Sequence, residues 1–216
     1  MDDVLVICSH PDDESLGCAG TMLHLGTAHT VHVATFTDGV GARGSGGHIA
    51  RYRHFREALH ILGAQEVLGV HQFEDNAMDQ YPLLEIAKAV ESIVRHINPA
   101  IVLTHHVGDL NVDHQMVAKA TMVALRPYAF PNVKCIYSYE VPSSTEWGTG
   151  FVPTAFVALT QAQMDAKLAA VQKYVDEVRT APHPRSPESI LARAQYWGSI
   201  SGSQYAEPLM VLREVL

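Results

Sequence analysis

The chain is short of cysteine, short of positive charge, and has no long apolar run. Only Cys8, Cys18 and Cys135 occur in 216 residues. The count is odd and no two form a C-x-x-C pair, which argues against a disulfide framework and for a reducing compartment. Lys and Arg number 15 against 23 Asp and Glu, a net charge of −8. Non-specific binding to nucleic acid or anionic membrane favours basic patches, so neither partner is expected. No apolar stretch approaches the roughly 18 residues of a membrane span. The first residues, Met-Asp-Asp, run straight into a strand-like segment without the basic n-region of a signal peptide. A cytoplasmic protein is therefore expected. The dinucleotide fingerprint G-x-G-x-x-G is missing after the first strand, which disfavours nicotinamide or flavin chemistry.

What is present is an alternation of strands and helices. Apolar residues make up 47% and charged residues 18%, as in an ordinary globular domain. Residues 4–8 (VLVIC) form a short, β-branched run suited to a strand buried on both faces. A helix over 15–25 and a strand over 31–37 complete a β-α-β unit. A glycine-rich loop over 38–47 is expected to be mobile. Then come a helix over 49–62 ending at Gly63, a strand over 66–70, a helix over 83–97 behind Pro82, a strand over 100–104 and a helix over 117–125. Beyond it the pattern loosens: strands over 133–139 and 155–159, a helix over 161–178, an irregular stretch over 180–187 with three prolines, a helix over 190–197 and a last strand over 208–213. The expected fold is α/β: a single domain over 1–216 with a three-layer, doubly wound, Rossmann-like, mostly parallel sheet and an added C-terminal section. Ligands of such sheets bind beyond the carboxyl ends of the strands.

Residues capable of chemistry follow the strands. Ser9-His10-Pro11-Asp12-Asp13-Glu14 comes directly after the first strand. So much charge beside a buried strand is costly unless it is paired or binds metal. His10 and Asp13, three apart across a turn, can meet on one cation, and Asp12 can face the same space without being a ligand. Helix capping alone is the competing reading for Asp13, Glu14 and Ser15. A second cluster, from Thr104 to His114, follows the fourth strand and holds three histidines and two aspartates. His114 could complete a set of two histidines and one aspartate, leaving one zinc position open, as catalytic zinc sites do. Ferrous iron or cobalt would also fit these donors. Zinc would lower the pKa of bound water to about 7 and polarise a carbonyl, with Asp12 as general base.

The Ser9–Glu14 motif, with the later Val112-Asp113-His114, resembles the PIG-L/LmbE-like family of zinc-dependent N-acetylglucosaminyl deacetylases. The resemblance runs from the first strand into the helix around Val171. It implies zinc held by His10, Asp13 and His114, with Asp12 as the base. It also implies Arg51 and Asp75 as substrate-binding residues, against the simpler readings of a solvated helix charge and a turn residue. Many members carry a histidine three residues before the metal histidine. Asn111 stands there in this chain. Its amide can donate a hydrogen bond to substrate but cannot shuttle a proton, so Asp12, His105, His106 or His183 would have to return the proton to the leaving amine.

The expected activity is removal of an N-acetyl group from an amino sugar or its conjugate, the partner being that small molecule, with a homo-oligomer left open. The alternatives are an amidase acting on a thiol-glycoside conjugate or nucleotide sugar, and a metal- or sugar-binding module without catalysis. Asp12 favours an enzyme over the module. Two further segments lie near the expected pocket rim: Ser143–Trp147, whose indole could stack on a sugar or anchor a loop, and His183–Ser186, which could reach the mouth or be a plain surface loop.

Overall fold

The structure, a computed structural model, describes residues 2–41, 47–68 and 72–215. Seven strands form one sheet in the order β3-β2-β1-β4-β5-β7-β6. β1 (Asp3–Cys8) lies near its middle, buried along almost its whole length. It pairs in parallel with β2 (Thr30–Thr35) on one side and β4 (Ile101–His105) on the other. β3 (Gln65–Glu66) extends the sheet beyond β2, and β5 (Cys135–Tyr139) extends it beyond β4, both in parallel. The long β7 (Tyr205–Glu214) then runs antiparallel between β5 and β6 (Ala155–Leu159). The chain builds outward from β1 to β3 and then returns to β4 on β1's other flank. The carboxyl ends of β1 and β4 therefore flank the topological switch point, where such sheets open a crevice.

Helices cover both faces, as the doubly wound reading required. α1 (Ala19–Leu25), α2 (His48–Leu62), α5 (Gln161–Val171) and α6 (Pro187–Ser201) pack on one side through Met22, Phe55, Leu59, Met164 and Ile190. α3 (Leu83–Ile97) and α4 (Val112–Ala124) pack on the other through Ile86, Val90, Val94, Val117 and Ala124.

Several boundaries differ from the sequence reading. The helix expected from residue 15 opens as a π turn, Glu14–Cys18, before α1. Gly17 in this turn is closely packed. A Cβ on Gly17 would lie 2.5 Å from the Tyr139 ring and 2.7 Å from the Glu140 carbonyl oxygen. The turn leaves amides without helical partners, and Glu207 on β7 accepts from Gly20 N (2.9 Å) and Thr21 N (2.6 Å). α4 starts at Val112, five residues earlier than expected, because Asn111 caps it: its Oδ1 accepts from Asp113 N at 2.9 Å and His114 N at 3.4 Å. α5 stops at Val171 instead of 178, and the chain over 172–186 turns back towards the end of β1. The expected strand over 66–70 and loop over 38–47 fall partly outside the described residues.

Candidate functional site

The π turn and the cap of α4 aim three donors at one point. His10 Nδ1 lies 3.3 Å from Asp13 Oδ2, His114 Nε2 lies 3.2 Å from Asp13 Oδ1, and the two imidazole nitrogens are 3.3 Å apart. All three residues are buried, and together they form a group that could hold a metal ion. The two histidines, distant in sequence, meet because β1 and β4 are neighbours.

Each histidine is oriented from behind by a carboxylate, as metal ligands commonly are. Asp113 Oδ2 lies 3.0 Å from His10 Nε2 and accepts from Asn76 N at 2.7 Å, while its Oδ1 accepts from Met78 N at 3.0 Å. Asp75 Oδ1 also approaches His10 Nε2, at 3.2 Å. Asp109 Oδ1 stands 3.3 Å from His114 Nδ1. Asp109 is itself held by Ser144 Oγ, by Thr145 Oγ1 at 2.5 Å and by Asn111 N at 2.8 Å. His105 stacks on His114 at 3.9 Å, and its Nε2 accepts from Ser9 N at 2.9 Å.

The charges show what such a site wants. Burial works against the cationic form of His114, yet Asp13 and Asp109 hold its pKa at about 9. His10 is likewise raised, against its burial, by Asp13, Asp113 and Asp75. Burial would raise Asp13, but the three surrounding histidines pull it well below the carboxylate range. Asp109 falls to about 2 as its bonds with His114, Ser144 and Thr145 outweigh burial. Asp13, Asp75, Asp109 and Asp113 thus converge on two imidazoles in a buried space. Two nitrogens and an oxygen facing one point, under an excess of negative charge, fit a divalent cation.

Asp12 stands beside this group as a separate carboxylate. Its φ is 127°, a conformation L-residues rarely adopt and one that costs of order 1–3 kcal/mol. Its N–H donates to Glu14 Oε2 at 3.0 Å, and its carbonyl accepts from Leu16 N at 2.9 Å. Tyr174 OH fixes Glu14 from the other side at 2.6 Å. Burial raises the Asp12 carboxyl to about 6, an effect held in check by the nearby Arg185 and Arg51 guanidinium groups. Burial also raises Glu14, to about 7, against its bonds from Ser15, Tyr174 and the Asp12 amide.

A polar cavity of about 110 Å³ opens over these residues, lined by His10, Asp12, Gly39, Arg51, Asp75, Asn76, Asn111, Glu177 and Arg185. All three residues expected to bind substrate, Arg51, Asp75 and Asn111, lie in its wall. None of the three histidines considered for proton return does. His105 is fully buried beneath His114, His106 Nε2 meets Thr149 O at 2.7 Å, and His183 Nδ1 accepts from Arg185 N at 3.1 Å. Trp147 is exposed and lines no part of this cavity. Glu177 and Arg185 lie in the turns between α5 and α6. Arg185 belongs to the His183–Ser186 segment that could reach the mouth or be a plain surface loop, and it lines the cavity, whereas Glu177 was not singled out. Glu177 sits inside the expected helix over 161–178, where nothing in the local pattern distinguishes it from a solvated charge.

Fold and site together define the class: a doubly wound α/β domain with a His/Asp group, able to hold a metal ion, at its switch point. Residues 5–125 match the PIG-L family, described as GlcNAc-PI de-N-acetylase, and the chain belongs to that deacetylase family. It is 31% identical over 176 residues to the uncharacterized deacetylase YaiS of Escherichia coli strain K12, covering 79% of this chain and 89% of that one. The crystal structure of the conserved protein TT1542 from Thermus thermophilus superposes with a TM-score of 0.81 at 26% identity, over 100% of this chain and 97% of that one. The N,N'-diacetylchitobiose deacetylase of Pyrococcus horikoshii shares the fold, with a TM-score of 0.79 at 19% identity over 98% and 84% of the two chains.

Proposed function

We propose that the protein is a zinc-dependent hydrolase that removes the N-acetyl group of an amino sugar or amino-sugar conjugate. The convergence of His10 Nδ1, Asp13 and His114 Nε2 within 3.3 Å, beneath a cavity with the Asp12 carboxylate in its wall, carries this reading. His10, Asp13 and His114 would hold zinc, which the nitrogen and oxygen donors suit, though ferrous iron or cobalt would be accepted by the same set. When bound, the ion supplies Lewis acidity that polarises the amide carbonyl and acidifies water.

The protein's own groups do the rest. Asp12 takes the proton of the attacking water as general base. The same carboxyl then returns that proton to the departing amine, since among the described residues the one histidine lining the cavity is His10, which would be engaged by the metal. Asn111 cannot make that transfer. Its cap bonds engage only Oδ1, and Nδ2, in long contact with Asn76 Oδ1 at 3.5 Å, keeps a second N–H to donate to substrate. Asp75 completes the wall that meets the sugar, and Arg51 stands in the same wall against Asp12.

The test is metal analysis of the purified protein combined with acetate release from N-acetylglucosamine and a panel of its conjugates. Release that disappears in Asp12→Asn while the zinc content stays near that of wild type supports the proposal. A zinc-loaded protein that frees no acetate from any of them sinks it.

A further inference from the structure

Among the described residues two arginines, Arg51 and Arg185, line the cavity. Arg51 is buried and its terminal nitrogens are committed to the protein. Nη1 donates to Pro11 O at 3.1 Å and reaches Asp12 Oδ2 at 3.4 Å, while Nη2 donates to Glu177 Oε1. Arg185 approaches from the opposite end of the chain. Its Nε donates to Ser143 Oγ at 2.6 Å, and Nη1 meets Glu177 Oε2 at 2.7 Å and Asp12 Oδ2 at 3.4 Å. Its Nη2 has no hydrogen-bond partner among the described residues. The Arg185 side chain is 19% exposed, against 4% for Arg51.

The fork is held in place on two sides. Glu177 bridges both guanidinium groups through its two oxygens. Ser143, with φ 75°, presents its hydroxyl from the loop that also supplies Ser144 and Thr145 to Asp109. Because Nε and Nη1 are pinned, the planar geometry of the group fixes where Nη2 points. A preorganised donor with spare N–H capacity at a polar cavity suits an oxygen-rich ligand. The charges of Arg51 and Arg185 are balanced locally by Asp12 and Glu177, so the site selects hydroxyl and ring oxygens over a free anion.

We propose that Arg185 is a substrate-binding residue that grips the sugar oxygens of the ligand, and that Arg51 serves instead to position Asp12 and Glu177. This rests on the deacetylase reading for its choice of ligand. The test compares Arg185→Ala and Arg51→Ala in the zinc-loaded protein. Arg185→Ala should raise KM for N-acetylglucosamine about tenfold or more, the loss expected for a hydrogen bond from a charged donor, and lower kcat by a smaller factor, since Arg185 also meets Asp12. Arg51→Ala should lower kcat with a smaller change in KM, and Arg51→Lys should recover part of it. Equal kcat losses with unchanged KM in both variants would mean that Arg185 acts only through Asp12, and would overturn the assignment. So would an Arg185→Ala variant that matches wild type. If wild type turns over no N-acetylated sugar, the failure belongs to the deacetylase reading. Calorimetric titration of N-acetylglucosamine and N-acetylmuramic acid into wild type and Arg185→Ala then decides the matter. Weaker binding of both sugars in the variant supports Arg185 as the grip. Equal binding in wild type and variant, or no measurable binding to wild type, overturns it, as does a loss confined to the acidic sugar, which would make the contact a charge pair.

Discussion

Asp12 is held in a backbone conformation that its own chemistry disfavours, and the Glu14–Tyr174 pair answers for it. Asp12 N donates to Glu14, Glu14 is fixed by Tyr174, and the carboxylate is left facing the cavity between two guanidinium groups. A general base must be ionised to act. Burial lifts this carboxyl to about 6, and a dication bound alongside would draw it lower. The expected kcat/KM profile of the wild-type protein therefore rises with pH through a limb at or below about 6. A limb well above that value in the zinc-loaded protein would take Asp12 out of the role. At the same scale, Asp113 fixes the ring of His10 through Nε2, so that Nδ1 faces the shared point. Asp113→Asn should weaken zinc binding by about 10–100-fold, read by competition with a chelating dye. An unchanged affinity would reduce Asp113 to a loop anchor for Asn76 and Met78.

The π turn Glu14–Cys18 is the element that joins fold to site. Gly17 lets it press onto the Tyr139 ring, and Asp13 stands immediately before it. Gly17→Ala would place a methyl group against both a buried aromatic ring and a backbone carbonyl, neither of which can give way cheaply. A loss of about 1–3 kcal/mol is expected from such overpacking, a fall in Tm of several degrees for a chain of this length. Thermal unfolding followed by circular dichroism checks it, and a Tm indistinguishable from wild type would show that the turn has slack. The cap of α4 is the second such element. Asn111 is placed by its side-chain oxygen, which starts the helix early enough to swing His114 back to β1.

Across the whole molecule, the donors come from the ends of two adjacent central strands, so any ion they bind ties together the two halves of the doubly wound sheet. Binding to the native state alone stabilises it by about 2.7 kcal/mol when free zinc is roughly a hundred times its Kd. With about 2–4 °C per kcal/mol for a chain of this size, exhaustive chelation should lower Tm by roughly 5–10 °C, and zinc should restore it. A Tm indifferent to chelator in a protein shown to contain zinc would place the ion elsewhere. No described helix is long and apolar enough to cross a membrane, in keeping with the absence of long apolar runs.

Much of this was written locally in the chain. The buried run of β1, the charged Ser9–Glu14 segment behind it and the Val112-Asp113-His114 triplet are contiguous patterns. Strand alternation implies parallel neighbours with their carboxyl ends on one edge, so the class of fold was legible without coordinates. His10, Asp12, Asp13 and His114 were pointed to by the motifs and the family they resemble, and the structure brings the two histidines and Asp13 together. Tertiary structure decided what no local pattern encodes. It made the start of the first helix a π turn, with Gly17 packed against the ring of Tyr139 from a distant strand. It ended α5 early to bring Glu177 and Arg185 back over the base. It also assigned Asp109 and Asp113 to the backs of the two histidines. Such partners are chosen by contact across the folded chain, and a charged residue in a loop looks the same in sequence whether it meets water or a buried guanidinium.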